Sequence, residues 1–237
     1  HKYIYDDSGN KKDAQKINAY LLDAENIFVE KRSQPISPVP NIFLGGQALD
    51  DGNLILTEDE KDALILKSNV NREWIRPYMM GKDFILRKPR YCLWLLGASP
   101  SELKKSKGIM DRLKNVQEFR LASKRESTLK SASTPSLFAE IKYSECDYIA
   151  IPKVSSENRR YIPMDYLSKD VIPGDKLFVF PNATLYHFGI LTSNVHNAWM
   201  RAVCGRLKSD YSYSNTIVYN NFPWPVLDER RKTKEVE

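Results

Sequence analysis

The chain has 237 residues, 42% hydrophobic and 28% charged, with a formal net charge of +6 and a pI of about 9.0. Such a balance excludes an intrinsically disordered chain and leaves length for one sizeable core or a core with an appendage, while the modest positive excess suits a polyanionic partner. No apolar run reaches the length of a membrane span and the N-terminal residues lack a signal-peptide core, so the expectation is a cytoplasmic protein with no membrane partner.

Residues 1–25 read as a lead-in ending in a helix, because Ile17, Tyr20 and Leu21 are spaced to share one face. Residues 26–30 predict a short strand, after which Pro35, Pro38 and Pro40 mark an irregular crossing. Gly45, Gly46 and Gly52 flank a loop; with no lysine and helix start behind it, this run is turn geometry and not a phosphate cradle. Residues 54–56 predict a strand. Thr57 with Glu60 three positions on is a capping-box signature, so a helix should run to about Lys67. Residues 74–78 predict a turn or strand carrying Arg76, either a phosphate contact or a structural ion pair. Ile85 and Leu86 continue a strand, and residues 91–96 form a buried one that Pro100 closes.

Residues 101–130 read as helical and basic. Lys104, Lys105, Lys107, Arg112, Lys114, Arg120, Lys124, Arg125 and Lys130 face four acidic residues, a net +5 of the chain's +6. Ile109, Leu113 and Val116 supply the apolar stripe. The concentration of charge favours a face near DNA phosphates over an ordinary solvated helical hairpin.

Residues 138–143 and 147–152 predict adjacent strands, followed by a polar loop over residues 153–160. Within it Ser155, Ser156, Asn158, Arg159 and Arg160 can donate to phosphates or base edges; the alternative is a plain exposed hairpin tip. Residues 166–172 alternate toward Pro173 and Gly174, residues 176–180 predict a strand, and residues 185–191 lead into a helix beginning near His196. On that helix Trp199, Val203 and Leu207 recur four apart, Met200 widens their stripe, and Arg201 and Arg206 lie off it. Gly205 and the polar run behind it end the helix soon afterwards.

Then the period changes to two. Residues 208–213 alternate, with Lys208, Asp210 and Ser212 on one side and Ser209, Tyr211 and Tyr213 on the other, which predicts one extended segment. Residues 216–219 predict a further strand. The run from Asn220 onward cannot continue a sheet, because each proline removes a ladder donor. Side chains two apart on a strand project together, roughly 6–7 Å from one another. Lysine donates to guanine O6 and N7, and aspartate accepts from cytosine N4, so Lys208 beside Asp210 could read one G·C pair in the major groove. A solvated ion pair on an edge strand is the bland alternative.

The run CGRLKSDYSYSNTIVYNNFPWP resembles the target-recognition region of MmeI-like (type IIL) DNA methyltransferases, single-chain restriction–modification enzymes. So do NAYLLDAENIFVEKRSQPISPVPNIFLGGQALDDGNLILTEDE, WIRPYMMGKDFI, RYCLWL, IPKVSSENRRYIPMDYL and LYHFGILTSNVHNAWM, in order from about Ile17 to Pro225. The resemblance implies a reader of duplex DNA beside an adenine that another domain methylates at N6. It raises Lys208, Asp210 and Ser212 to base-reading candidates, with Ser155, Ser156, Asn158, Arg159 and Arg160 as positioning or additional contacts. It also implies a helical lead-in from a methyltransferase domain over residues 1–25, the recognition domain over 26–225 and a tail or linker over 226–237. The partners are then double-stranded DNA and the methyltransferase and nuclease domains of the same parent. S-adenosylmethionine and Mg²⁺ would serve those domains, with no cofactor in this fragment.

Two stretches mimic enzyme motifs. Asn221-Phe222-Pro223-Trp224 is one residue from the Asn-Pro-Pro-aromatic motif of amino-methyltransferases, but Phe222 replaces the first proline and no Gly-rich cofactor loop precedes it. The expectation is a core cap with Phe222 and Trp224 buried. Glu140-Ile141-Lys142 has the Glu-x-Lys form of a metal-dependent nuclease site, with Asp111 as a distant partner, and three residues are too common a pattern to carry weight. Cys92, Cys146 and Cys204 are odd in number and widely spaced, so they read as reduced thiols, and His187 and His196 have no ligand partner at metal spacing. The expected class is α+β, with a twisted mixed or mostly antiparallel sheet, barrel-like closure as one form of it, packed helices and a basic helical insertion. Rival functions are a nuclease or methyl-transfer fragment and a protein-docking module that clamps neighbouring domains.

Overall fold

Short apolar runs broken by proline and glycine cannot extend one long sheet. The computed structural model, which describes residues 1–18, 21–26, 28–68 and 70–226, accordingly holds four small ones. The chain opens with an antiparallel hairpin, β1 (Lys2–Tyr5) and β2 (Lys11–Ala14). The lead-in helix expected next is absent among the described residues there. Ile17 bridges to Asp23 and Leu21 takes a φ of 59°, so the backbone doubles back where the apolar spacing suggested a helix face; Tyr20 lies outside the described residues. The strand expected at residues 26–30 is absent among the described residues there, and Ile27 lies outside them.

The first half continues with β3 (Phe43–Leu44), β4 (Ile55–Leu56), α1 (Glu58–Lys67), a 3-10 turn at Arg72–Trp74, β5 (Ile75–Met79), α2 (Gly81–Leu86) and β6 (Arg90–Leu93). The capping box of α1 forms as its sequence predicts, with Thr57 accepting from Glu60 N while Glu60 accepts from Thr57 N. Ile85 and Leu86 belong to α2 and not to a strand, because Asp83 accepts from Met80 N and starts a helical turn that buries Phe84. The basic insertion is α3 (Pro100–Leu103), α4 (Lys107–Leu121) and α5 (Glu126–Ser131). Ile109, Leu113 and Val116 of α4 pack with Leu54, Leu56 and Cys92 into one core cluster.

The second half comprises β7 (Tyr148–Pro152), β8 (Val154–Ser155), β9 (Asp165–Leu167), β10 (Ile172–Pro173), β11 (Leu177–Pro181), α6 (Leu185–Thr192), α7 (Asn194–Val203), β12 (Gly205–Leu207), β13 (Asp210–Ser212) and a π-helical turn at Asn215–Tyr219. The strand expected over residues 138–143 reduces to a single bridge between Gln47 and Glu140. Residues expected as a strand at 216–219 form the π-helical turn, started by Ser214, whose side chain accepts from Ile217 N.

The sheets run β10-β5-β6-β4, β3-β11-β7-β9 and β12-β13-β8, beside the β1-β2 hairpin. Pairing is antiparallel except for β10 with β5. The architecture is α+β, and among the described residues no sheet closes into a barrel. In β7 and β11 successive side chains serve opposite faces: Ile149, Ile151, Phe178 and Phe180 join one cluster, while Tyr148, Ala150, Leu177 and Val179 join another. A sheet buried on both faces explains why both strands are continuous apolar runs. Gly45 is required where β3 leaves, since a Cβ there would lie 2.3 Å from the Pro173 carbonyl oxygen. No helix among the described residues is long and apolar enough to cross a membrane.

Candidate nucleic-acid interface

Helix α7 sets the position of everything around it. Ser193 caps its first turn by accepting from His196 N, and its inner face buries His196, Asn197 and Met200. Trp199 Nε1 donates to Val218 O at 2.9 Å and ties the helix to the π-helical turn. The helix stops at Val203, earlier than the stripe predicted. Leu207 therefore lies on β12, 59% exposed, and not on the helix face.

Residues 208–213 are not one extended segment. The chain reverses, and β12 pairs with β13 in the register Gly205↔Ser212, Arg206↔Tyr211 and Leu207↔Asp210. Lys208 and Ser209 form the two-residue link, with Lys208 at a φ of 56°. Lys208 thus sits on the tip of a hairpin, and the 6–7 Å same-strand neighbourhood with Asp210 does not exist. Alternation does hold along β13 and into the residue after it: Tyr211 and Tyr213 are buried while Asp210 and Ser212 are half-buried. Tyr213 donates or accepts at His196 Nε2, 3.0 Å away. Burial pulls the His196 pKa down to about 4, so the ring is neutral.

Strand β8 completes the ribbon by pairing Ser155 with Tyr211 and Val154 with Ser212. The loop and the hairpin singled out from the sequence, 53 positions apart at Glu157 and Asp210, are brought together: Glu157 N donates to Asp210 Oδ1 at 3.4 Å. Ser155 is a correction. It is only 3% exposed and its hydroxyl is buried without a partner, so its side chain cannot meet a ligand at the surface. Ser156 shapes the turn beyond it, its carbonyl accepting from Arg159 N at 3.1 Å and its hydroxyl from Asn158 N at 3.3 Å. Asn158, Arg159 and Arg160 are exposed.

Beside the ribbon lies a concavity of about 360 Å³ whose lining includes Lys82, Leu86, Ser156, Arg159, Lys176 and Asp210. Three cations against one carboxylate make it positive, with Lys176 also 2.8 Å from Asp175. Asp210 therefore borders a positively charged depression. Lys82 and Lys176 come from unrelated segments, and no signal in the sequence joins them to the loop. Arg201 and Arg206 are legible in the sequence as residues off the helical stripe, but their contacts are not.

Other cations are buried or paired. Arg120 is fully buried and donates to the carbonyls of Leu49, Ser131, Thr134, Ala48 and Leu137. Arg112 donates to the Gly52 and Asn53 carbonyls and pairs with Glu60. Arg76 donates to the Lys169 and Asp170 carbonyls and pairs with the Asp170 carboxylate, which makes it structural. Lys114 and Lys130 pair with Glu118 and Glu126 one turn away. The basic insertion is thus a weaker electrostatic face than its residue count implies.

The polar residues of both enzyme look-alikes have partners within the protein. Phe222 and Trp224 are 3% and 6% exposed and join an aromatic cluster with Tyr219 and His196. The Asn221 amide is buried; it donates to the carbonyls of Glu30, Thr216 and Ile217 and accepts from Arg32 Nε, so both of its polar atoms are engaged within the protein. Glu140 pairs with Lys142 at 3.0 Å, and no group of three or more metal-capable side chains occurs among the described residues.

A family model described as the target recognition domain of MmeI matches residues 23–226. DNA methyltransferase A of Bacillus subtilis (strain 168) is 38% identical over 234 residues, covering 99% of this chain and 26% of that protein. Among solved structures, the type IIL restriction-modification enzyme MmeI in complex with DNA matches with a TM-score of 0.88 and 40% identity, over 98% of this chain and 31% of that one. The chain therefore spans about a quarter of the methyltransferase and under a third of the MmeI chain.

Proposed function

We propose that this chain, which belongs to the MmeI target recognition domain family, reads a specific duplex DNA sequence for a larger methyltransferase of which it is one part. The observation that carries the reading is the ribbon: two polar segments far apart in sequence meet in one small three-stranded sheet, beside a positive concavity. That MmeI was solved with DNA, and that a 38% identical relative is named a DNA methyltransferase, support it.

On this reading Lys208 at the hairpin tip donates to a base edge, Asp210 accepts from an exocyclic amine, and Ser212 contributes from the same strand. Ser156, Asn158, Arg159 and Arg160 hold the phosphate backbone or add readings, and Ser155 is set aside because it is buried. Residues 26–225 form the reading domain, residues 1–25 join it to the methyltransferase domain, and residues 226–237 are a tail or linker. The parent methylates adenine at N6, with S-adenosylmethionine as methyl donor, and cleaves DNA with Mg²⁺ in a nuclease domain. Both groups are assigned to the other domains of the parent: among the described residues no group of three or more His, Cys, Asp or Glu could hold a metal ion, and no chemical step is assigned here.

The test is methylation mapping of the full-length protein carrying Lys208→Asp together with Asp210→Lys. A changed base preference at one position of the target, with the remaining positions kept, is the expected outcome. An unaltered target would show that the ribbon clamps neighbouring domains instead, and methylation or cleavage by this chain alone would establish a catalytic role.

A further inference from the structure

We infer that Arg201 and Arg206, although cationic and adjacent to the reading ribbon, are positioning residues that join its two loops into one surface and do not contact phosphate. The inference rests on the DNA-reading function proposed above.

Local bonds fix the shape of the turn at residues 156–160 but not its place. Arg159 N and Asn158 N both bond back to Ser156, and neither bond reaches the hairpin. Glu157 N, bonded to the Asp210 carboxylate at 3.4 Å, ties one side of the turn to the hairpin, and α7 holds the other. Arg201 Nη2 donates to the carbonyl oxygens of Arg159, at 3.2 Å, and of Arg160, so the backbone of the turn hangs from the helix. The same guanidinium lies 5.8 Å from the centroid of the Tyr211 ring. Arg206 works from the other loop. It lies over the same ring at 4.0 Å, donates to Ser209 O at 2.7 Å across the hairpin tip, and stands 3.8 Å from the Glu157 carboxylate.

Tyr211, 9% exposed, is thus the common platform for two cations that each hold a different loop. Nη2 of Arg201 is spent on two protein carbonyls, and Nη1 of Arg206 on a carbonyl with a carboxylate 3.8 Å away. Lysine keeps the charge but lacks the planar fork, so it cannot reproduce two carbonyl bonds plus a stacked face. A preformed surface loses less freedom on binding, and the benefit falls on the matched sequence, where every contact must register together.

The experiment compares full-length wild-type protein with Arg201→Lys, Arg201→Gln, Arg206→Lys and Arg159→Gln. Affinity is measured by fluorescence anisotropy across a salt series, for a duplex carrying the mapped target and for one with a single base pair changed. Melting temperature is recorded for each variant. The expected result is that the Arg201 and Arg206 variants keep the wild-type salt slope and melting temperature, while the target-over-altered ratio falls about ten-fold. Arg159→Gln should instead flatten the slope by about 0.9 and leave the ratio nearly intact. The inference is overturned if Arg201→Gln flattens the slope by a similar amount, if the ratio stays at its wild-type value, or if Arg201→Lys loses its folded state along with Arg201→Gln. Wild-type protein that binds both duplexes equally would reject the DNA reading itself, a separate result from wild-type discrimination that the variants retain.

Discussion

Replacing Arg120 by methionine tests whether the basic insertion is held together from within. The guanidinium is 0% exposed and is the shared donor for five carbonyl oxygens, from Ala48 at 2.7 Å to Thr134 at 3.1 Å. It thereby joins the loop at residues 48–49 to α4 and to the segment at residues 131–137. Methionine fills similar space but leaves all five acceptors without this partner. At about 1 kcal/mol net per hydrogen bond the upper figure is about 5 kcal/mol, and the desolvation of the cation that the variant no longer bears offsets part of it. The expected loss is about 3–5 kcal/mol. Lysine has three donors for five carbonyls, so at least two stay unpaired and Arg120→Lys should lose about 2 kcal/mol or more. Equilibrium urea unfolding of the purified chain measures both. A change below about 0.5 kcal/mol in either variant would refute the reasoning, since it would mean that the carbonyls find other partners. Folded Arg120→Lys should bind DNA with an unchanged salt slope, because the residue never faces solvent.

Stability should fall in mild acid through His196. The imidazole is buried neutral, with a folded pKa of about 4 against 6.5 for the free side chain, so the unfolded chain takes up a proton that the folded chain refuses. The contribution is complete above about pH 6.5 and declines through the window down to about pH 4, by about 3 kcal/mol in all. Urea unfolding at pH 4.5 and 7.5, wild type against His196→Gln, isolates it: the variant should show the smaller pH dependence, and equal dependence would falsify the assignment. Gly45→Ala should destabilise the chain by about 1–3 kcal/mol, because the new Cβ meets the Pro173 carbonyl oxygen at 2.3 Å and backbone cannot yield as a flexible side chain does. Gly52→Ala meets open space at a φ of 75° and should lose only about 1 kcal/mol. Thermal melts that rank the two glycines the other way would contradict the close approach of β3 and β10.

Where a signal is local, the sequence carried it. The Thr57 capping box, the buried strand at β7 and the burial of Phe222 and Trp224 all follow from residue order alone. Where a distant partner decides, it did not. Ile85 and Leu86 look like strand residues, yet the burial of Phe84 against Tyr148, Ala150, Leu177 and Val179 favours a helix there. The hairpin at Lys208 carries no Asn-Gly or Asp-Gly turn signal, and a lysine at positive φ is found only by looking. Arg120 counted toward a surface charge that it does not bear. For the interface, the two candidate segments were legible as polar runs, but their meeting through β8 and β13, the burial of Ser155, and the arrival of Lys82 and Lys176 depend on long-range pairing.

The alternation in β13 separates two duties residue by residue. Tyr211 and Tyr213 root the strand in the interior, while Asp210 and Ser212 project from an unchanged backbone and Lys208 tops it. Point changes at those three outward positions can therefore alter the chemical vocabulary on display without repacking anything beneath. On the proposed DNA-reading function, such a scaffold would acquire new targets one letter at a time, with each step starting from a protein that already folds.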